Sequence, residues 1–131
     1  MWRWLVEKRH VMTKEQLGKG NTIKMTLKEA SLTPLLNSGD TFIIRPIFDN
    51  QKIRAGDIVF AAVQPGNRHY IHLVWSVREE VDKRVDVRRP VFHIGNNKTG
   101  AERKYNGWCW REHVYGIIPK ECINGYTADS D

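Results

Sequence analysis

The chain has 131 residues, with 21 Lys and Arg against 15 Asp and Glu, a formal charge of +6 and 40% hydrophobic residues. This composition excludes a wholly disordered chain, and the length predicts a single domain. No apolar run reaches the roughly 18 residues of a membrane-spanning helix, and the N-terminus becomes charged too early for a signal peptide. We therefore expect a basic cytoplasmic protein with no membrane span.

The first 20 residues predict an N-terminal extension with a short helix. Thr13 and Gln16 match a capping box, and Gly18 is a typical helix stop, so the helix has room for one or two turns. Residues 21–131 would then form the main β domain. The next helical turn is expected at residues 31–36, with Ser31 at its N-cap and Gly39 after its end.

The remaining pattern is typical of β-strands. Residues 22–28 alternate polar and apolar side chains, as a half-buried strand does. Further β-branched or apolar runs occupy residues 41–44, 57–63, 70–77, 85–87, 91–94 and 114–118. Pro65 and Gly66 separate two of these runs, so 57–63 and 70–77 are expected to pair as a hairpin. The sequence predicts a mostly β domain, a barrel or sandwich of about seven short strands with one or two helical turns.

Metal and cofactor sites are not indicated. His69 and His72 are three residues apart on a predicted strand, so their side chains would point to opposite faces. The other histidines have no ligand partner at a known spacing. The Gly-Lys-Gly stretch at 18–20 is too short for a phosphate-binding loop. We expect no metal and no cofactor.

Five short motifs follow one another between residues 27 and 118. Each contains a glycine, a polar residue at a strand end or a histidine within a strand. In chain order they are Ser31–Asp40, with Leu32, Pro34 and Gly39; Gly56–Asp57; Tyr70–Val74, with His72; Phe92–Asn97, with Gly95 and Asn96; and Trp110–Ile118.

This series resembles the superfamily of signal peptidases and LexA-type self-cleaving repressors. Its signature is a Ser-Met-x-Pro-x-Leu box before Gly-Asp and an apolar strand, then a second Gly-Asp strand and a strand carrying the catalytic base. The resemblance implies a small LexA/signal-peptidase-like barrel or sandwich, with Ser31 as nucleophile. His72 would be the base, because archaeal and endoplasmic-reticulum members have His-Arg-Val at this place. The residues expected to shape the substrate groove or the structural motif are Leu32, Pro34, Gly39, Asp40, Gly56, Asp57 and Gly95.

The chain departs from the signature at several positions. Leu32 replaces the methionine, Leu73 follows the histidine in place of arginine, and Asn96 replaces the aspartate of a Gly-Asp-Asn box. An amide cannot carry the charge that stabilises an imidazolium. Asn96 and, from its spacing, Glu102 are the candidate supporting residues for His72.

Two functions are compatible with these residues. The first is a soluble serine endopeptidase, in which a Ser31–His72 dyad acts on an extended peptide segment. The alternative is a catalytically inactive binding module of the same fold, with a protein partner. Basic and aromatic residues at 98–108 make nucleic acid a secondary partner candidate. The compact, stand-alone form suggests a phage or mobile-element protein acting in the host cytoplasm.

Overall fold

Strands dominate the fold. The computed structural model describes residues 2–126, with side chains from residue 10 onwards. The described residues form helix α1 (Trp2–Gly18), seven strands and three short 3-10 turns. The strands are β1 (Ile23–Thr26), β2 (Thr41–Pro46), β3 (Ile58–Val63), β4 (Arg68–Asp82), β5 (Val87–Gly95), β6 (Tyr105–Trp110) and β7 (Val114–Ile117). The prediction of a mostly β protein is confirmed.

The seven strands form one antiparallel sheet in the order β1-β2-β7-β3-β4-β5-β6. The predicted hairpin is present as β3 and β4, with Val59 opposite His72. Just beyond β3, Gln64 exchanges two backbone hydrogen bonds with Trp108 of β6, at 2.8 and 3.0 Å. The sheet therefore curls until β3 and β6 meet, and β3 to β6 enclose a small barrel.

Gly107 permits this closure. A β-carbon on Gly107 would lie 1.8 Å from the carbonyl oxygen of Gln64, far inside van der Waals contact. Its φ of +137° also lies in the region that side chains disfavour. The barrel closes at this point because residue 107 has no side chain.

Strand β3 is buried along its whole length, because both of its faces pack against apolar clusters. Val59, Ala61 and Val63 face the cluster enclosed by β3 to β6. Ile58 and Phe60 face a second cluster, which includes Leu32 and Leu36 from the turn after β1. The turn that carries Ser31 is thereby anchored to the central strand.

Helix α1 differs from the predicted short helix. It extends back to Trp2, and Thr13 lies inside it with 5% of its surface exposed rather than capping its start. Leu17 near its end packs into the cluster that contains Leu32. The first half is rich in charged residues and lacks a clear apolar stripe, so periodicity gave no signal for it. No helix among residues 2–126 is both long and apolar enough to cross a bilayer.

Two strand predictions were wrong in compensating ways. The runs at 85–87 and 91–94 are not two strands. Residues 85 and 86 lie in a turn, and β5 begins at Val87 and continues through Pro90, which lies opposite Glu79. Strand β6 was missed, since Asn106 and Gly107 are poor strand formers. One strand fewer and one strand more leave the total at seven.

Candidate active site

The hydroxyl of Ser31 and the imidazole of His72 lie in direct contact. The distance from Ser31 Oγ to His72 Nε2 is 3.0 Å, which is a hydrogen-bonding distance. Ser31 lies in the turn that follows β1, and His72 lies within β4. The fold thus brings together the two residues that the sequence motifs single out as nucleophile and base.

The Ser31 turn is fixed by its apolar residues. The backbone N–H groups of Leu35 and Leu36 donate to the carbonyl of Leu32, at 2.8 and 3.2 Å. The side chains of Leu32 and Leu36 are completely buried. The hydroxyl of Ser31, which the sequence predicts as the cap of this turn, makes its hydrogen bond with His72.

Asn97 connects the same turn to the end of β5. Its backbone N–H donates to the Ser31 carbonyl at 2.8 Å, and its Nδ2 donates to the Thr33 carbonyl at 3.1 Å. Asn97 therefore binds the backbone on both sides of Leu32. Asn97 is the last residue of the Phe92–Asn97 motif, but this contact with the Ser31 turn was not predicted.

Asn106 is the side chain behind His72. Its Oδ1 lies 2.5 Å from His72 Nδ1, on the side of the ring opposite Ser31. The supporting contact expected from Asn96 or Glu102 is thus made by a residue of the strand that the sequence pattern missed. The sequence feature that could have indicated Asn106 is its place as a polar residue within a short aromatic-rich segment, Tyr105–Trp110.

Asn96 and Glu102 shape the loop between β5 and β6, residues 96–104. The Asn96 side chain accepts hydrogen bonds from the backbone N–H groups of Lys98 and Lys104, at 3.2 and 3.0 Å. Its Nδ2 donates to the carbonyl of Glu102 at 2.8 Å. Because its carboxamide is used in these three bonds, Asn96 organises the 96–104 loop, and Glu102 takes part through its backbone.

The environment of His72 favours the neutral imidazole. Only 7% of the residue is exposed, and this burial lowers the pKa of His72 below its usual range. The hydrogen bond to Asn106 and the charge of Glu29 act in the opposite direction, and the charge of Lys104 acts with burial. A neutral imidazole is the form that can accept a proton from a serine hydroxyl.

The two Gly-Asp pairs are turn residues. Asp40 accepts hydrogen bonds from the Asn37 N–H at 2.8 Å and from Asn124 at 3.0 Å, and these bonds lower the pKa of Asp40. Asp57 accepts one from the Arg54 N–H at 2.8 Å. Both carboxylates therefore stabilise the turns that lead into β2 and β3.

The glycines and the proline of the motifs have backbone roles. Gly39 and Gly56 have φ angles of +92° and +95°, where a side chain would strain the turn. Pro34 follows a cis peptide bond, and its carbonyl accepts a hydrogen bond from Asn124 at 3.2 Å.

Gly95 lies under the indole of Trp75. A β-carbon at Gly95 would come within 2.3 Å of that ring. The indole Nε1 donates to the Asn96 carbonyl at 2.8 Å, and the Arg103 guanidinium lies 3.8 Å from the ring centroid. Trp75 thus holds both ends of the 96–104 loop. Arg103, one of the basic residues considered for nucleic acid, is engaged in this contact.

Within the described part of the chain, no three His, Cys, Asp or Glu side chains are grouped as a metal ion would require.

Comparison of the chain with protein-family models, with curated proteins and with solved structures gives no significant match, so the case for a function rests on the site itself.

Proposed function

We propose that the protein is a serine endopeptidase of the signal-peptidase and LexA-type superfamily, with Ser31 as nucleophile and His72 as general base. The observation that carries this proposal is the 3.0 Å contact between Ser31 Oγ and His72 Nε2. A serine hydroxyl becomes an effective nucleophile when a positioned base takes its proton. The buried, neutral His72 is suited to that role.

The reaction follows from these positions. Ser31 Oγ attacks the scissile carbonyl carbon while its proton passes to His72 Nε2, and a tetrahedral oxyanion forms. The imidazolium then gives the proton to the leaving amine nitrogen as the peptide C–N bond breaks. Water, deprotonated by His72, hydrolyses the resulting acyl-enzyme and restores the serine.

The turn also offers donors for the oxyanion. Among residues 2–126, the backbone N–H groups of Ser31 and Leu32 have no hydrogen-bond acceptor. Backbone N–H groups beside the nucleophile can stabilise a developing oxyanion, and removing one donor from an oxyanion hole typically costs about 3 kcal/mol.

An extended peptide is the substrate class that the sheet favours. Strand β1 is the terminal strand of the sheet, with β2 as its partner, and Ser31 follows it closely. A terminal strand can pair with an added strand through main-chain hydrogen bonds. Such pairing would present main-chain carbonyls near the Ser31 turn.

A second candidate is the inactive binding module. The observation in its favour is that His72 Nδ1 is hydrogen-bonded to the neutral amide of Asn106 and not to a carboxylate, so its hydrogen-bond partner adds no charge that stabilises the imidazolium. In that case the site would hold a peptide without cleaving it.

The experiment incubates the protein with a proteome-derived peptide library and identifies new termini by mass spectrometry. We expect cleavage by the wild type and its loss in both Ser31→Ala and His72→Gln. Ser38→Ala is the matched control, because Ser38 lies on the same turn segment but its hydroxyl faces the Lys28 carbonyl at 3.4 Å. Cleavage retained by Ser31→Ala would refute the peptidase. Peptide capture without cleavage by the wild type would identify the binding module.

A further inference from the structure

Asn106 determines which nitrogen of His72 carries the proton. The Oδ1 atom of an asparagine is only an acceptor, so the His72 Nδ1 that faces it at 2.5 Å must be the donor. A neutral imidazole has a single N–H. The lone pair is therefore on Nε2, which faces the Ser31 hydroxyl. The opposite tautomer would place an N–H against Ser31 and could not take its proton.

Asn106 lies directly after the 96–104 loop, on a strand that pairs with β5. It is the second residue of β6, and Lys104 at the loop's end is bonded to the Asn96 side chain. At the loop's start, Asn97 holds the carbonyl of Ser31. One continuous segment, residues 96–106, thus contacts the nucleophile turn at one end and the base at the other.

We propose that Asn106 is a positioning residue that holds His72 in the Nδ1–H tautomer and so makes it a base toward Ser31. This inference rests on the proposed peptidase function. It assigns to a neutral amide the orienting role that a carboxylate has in many Ser-His sites. The amide orients the ring without adding a negative charge beside it.

A purely structural role for Asn106 makes a different prediction. If the amide served only to satisfy a buried ring nitrogen, its replacement would alter stability but leave the ring tautomer and the pH dependence of cleavage unchanged. A carboxylate at this position would keep the acceptor and add a charge. It would therefore raise the pH at which the imidazole becomes protonated, by about one unit or more.

The test compares Asn106→Leu and Asn106→Asp with wild type. Nitrogen-15 NMR of the His72 ring reports its tautomer in the resting protein, and the pH dependence of kcat reports the pKa of the base during the reaction. Tyr105→Phe is the matched control, because Tyr105 precedes Asn106 on β6 but its hydroxyl contacts His93, at 2.7 Å.

We expect the Nδ1–H tautomer in wild type and in Tyr105→Phe. Asn106→Leu should lose that preference and lower kcat about 10²-fold or more with KM nearly unchanged. Asn106→Asp should keep the Nδ1–H tautomer of the wild type and shift the acidic limb of the kcat–pH profile to higher pH.

The two proposals fail in different ways. An unchanged tautomer and pH profile in Asn106→Leu, with cleavage still dependent on Ser31, would overturn the role of Asn106 and leave the peptidase standing. An absence of Ser31-dependent cleavage, with a tautomer that follows residue 106, would refute the peptidase and uphold the control of the His72 ring by Asn106. If Asn106→Leu is too unstable to measure, Asn106→Asp alone decides, since an unmoved acidic limb overturns the inference.

Discussion

The indole of Trp75 lies directly over Gly95, so close that a β-carbon at residue 95 would fall 2.3 Å from the ring. The same indole bonds the Asn96 carbonyl and carries the Arg103 guanidinium on its face. The 96–104 loop is built on this contact, and that loop holds both the Ser31 turn and the strand of Asn106.

Gly95→Ala is expected to displace Trp75 and loosen the 96–104 loop. Overpacking of this kind lowers the free energy of unfolding by about 1–3 kcal/mol, and the cleavage rate should fall further than this loss of stability explains. Chemical denaturation and peptide cleavage measure the two effects. Gly18→Ala is the control, because a β-carbon there meets nothing within 4 Å. Equal activity in the two variants would show that the loop does not position the site.

Leu32→Ala is expected to release the Ser31 turn from the core. Leu32 is fully buried, so its truncation leaves a cavity and should lower the free energy of unfolding by about 2–5 kcal/mol. Leu35→Ala, in the same turn but half-buried, should cost less. Urea unfolding compares the two variants. A smaller loss for Leu32→Ala than for Leu35→Ala would contradict the anchoring role of Leu32.

The pH dependence of cleavage should reflect the lowered pKa of His72. As the pH falls, an imidazole stays active until it is protonated, so the midpoint of the acidic limb is expected below the ordinary value of 6.5. An unfolded chain binds this proton first, so the same burial should make folding stability decline as the pH drops through that ordinary value. Initial rates and urea unfolding across this range measure both effects.

Two charge-removing variants should move that midpoint in opposite directions. Lys104 lowers the pKa of His72 and Glu29 raises it. Lys104→Gln should therefore shift the midpoint to higher pH, and Glu29→Gln should shift it to lower pH. Shifts of the same sign, or a wild-type midpoint above 6.5, would mean that another group controls the acidic limb.

The sequence predicted the parts of the fold that depend on local pattern. Alternation at residues 22–28 and the Pro65–Gly66 turn correspond to β1 and to the β3–β4 hairpin. Strand β6 could not be predicted in this way, because Asn106 and Gly107 make contacts with residues that are distant in the sequence. Gly107 is required by the approach of Gln64, and Asn106 faces His72 from 34 positions away in the sequence.

In the candidate site, the two reactive residues could be predicted from sequence motifs, but the residue that supports His72 could not. Ser31 and His72 stand in motifs with a defined order, and the fold places them in contact. The supporting residue of His72 was predicted as Asn96 or Glu102, whereas Asn106 makes the contact from a point where the register between β5 and β6 shifts. Spacing along the chain cannot show which of two nearby asparagines points inward.

The order of these parts along the chain has a consequence for biosynthesis. Ser31 and His72 leave the ribosome early, but the residue that orients the base and the strand that closes the barrel at Gln64 come only at Asn106 and Trp108. A nascent chain, or one truncated before β6, contains both reactive groups without the structure that aligns them. If the protein acts as proposed, its active site is complete only after translation has passed residue 108.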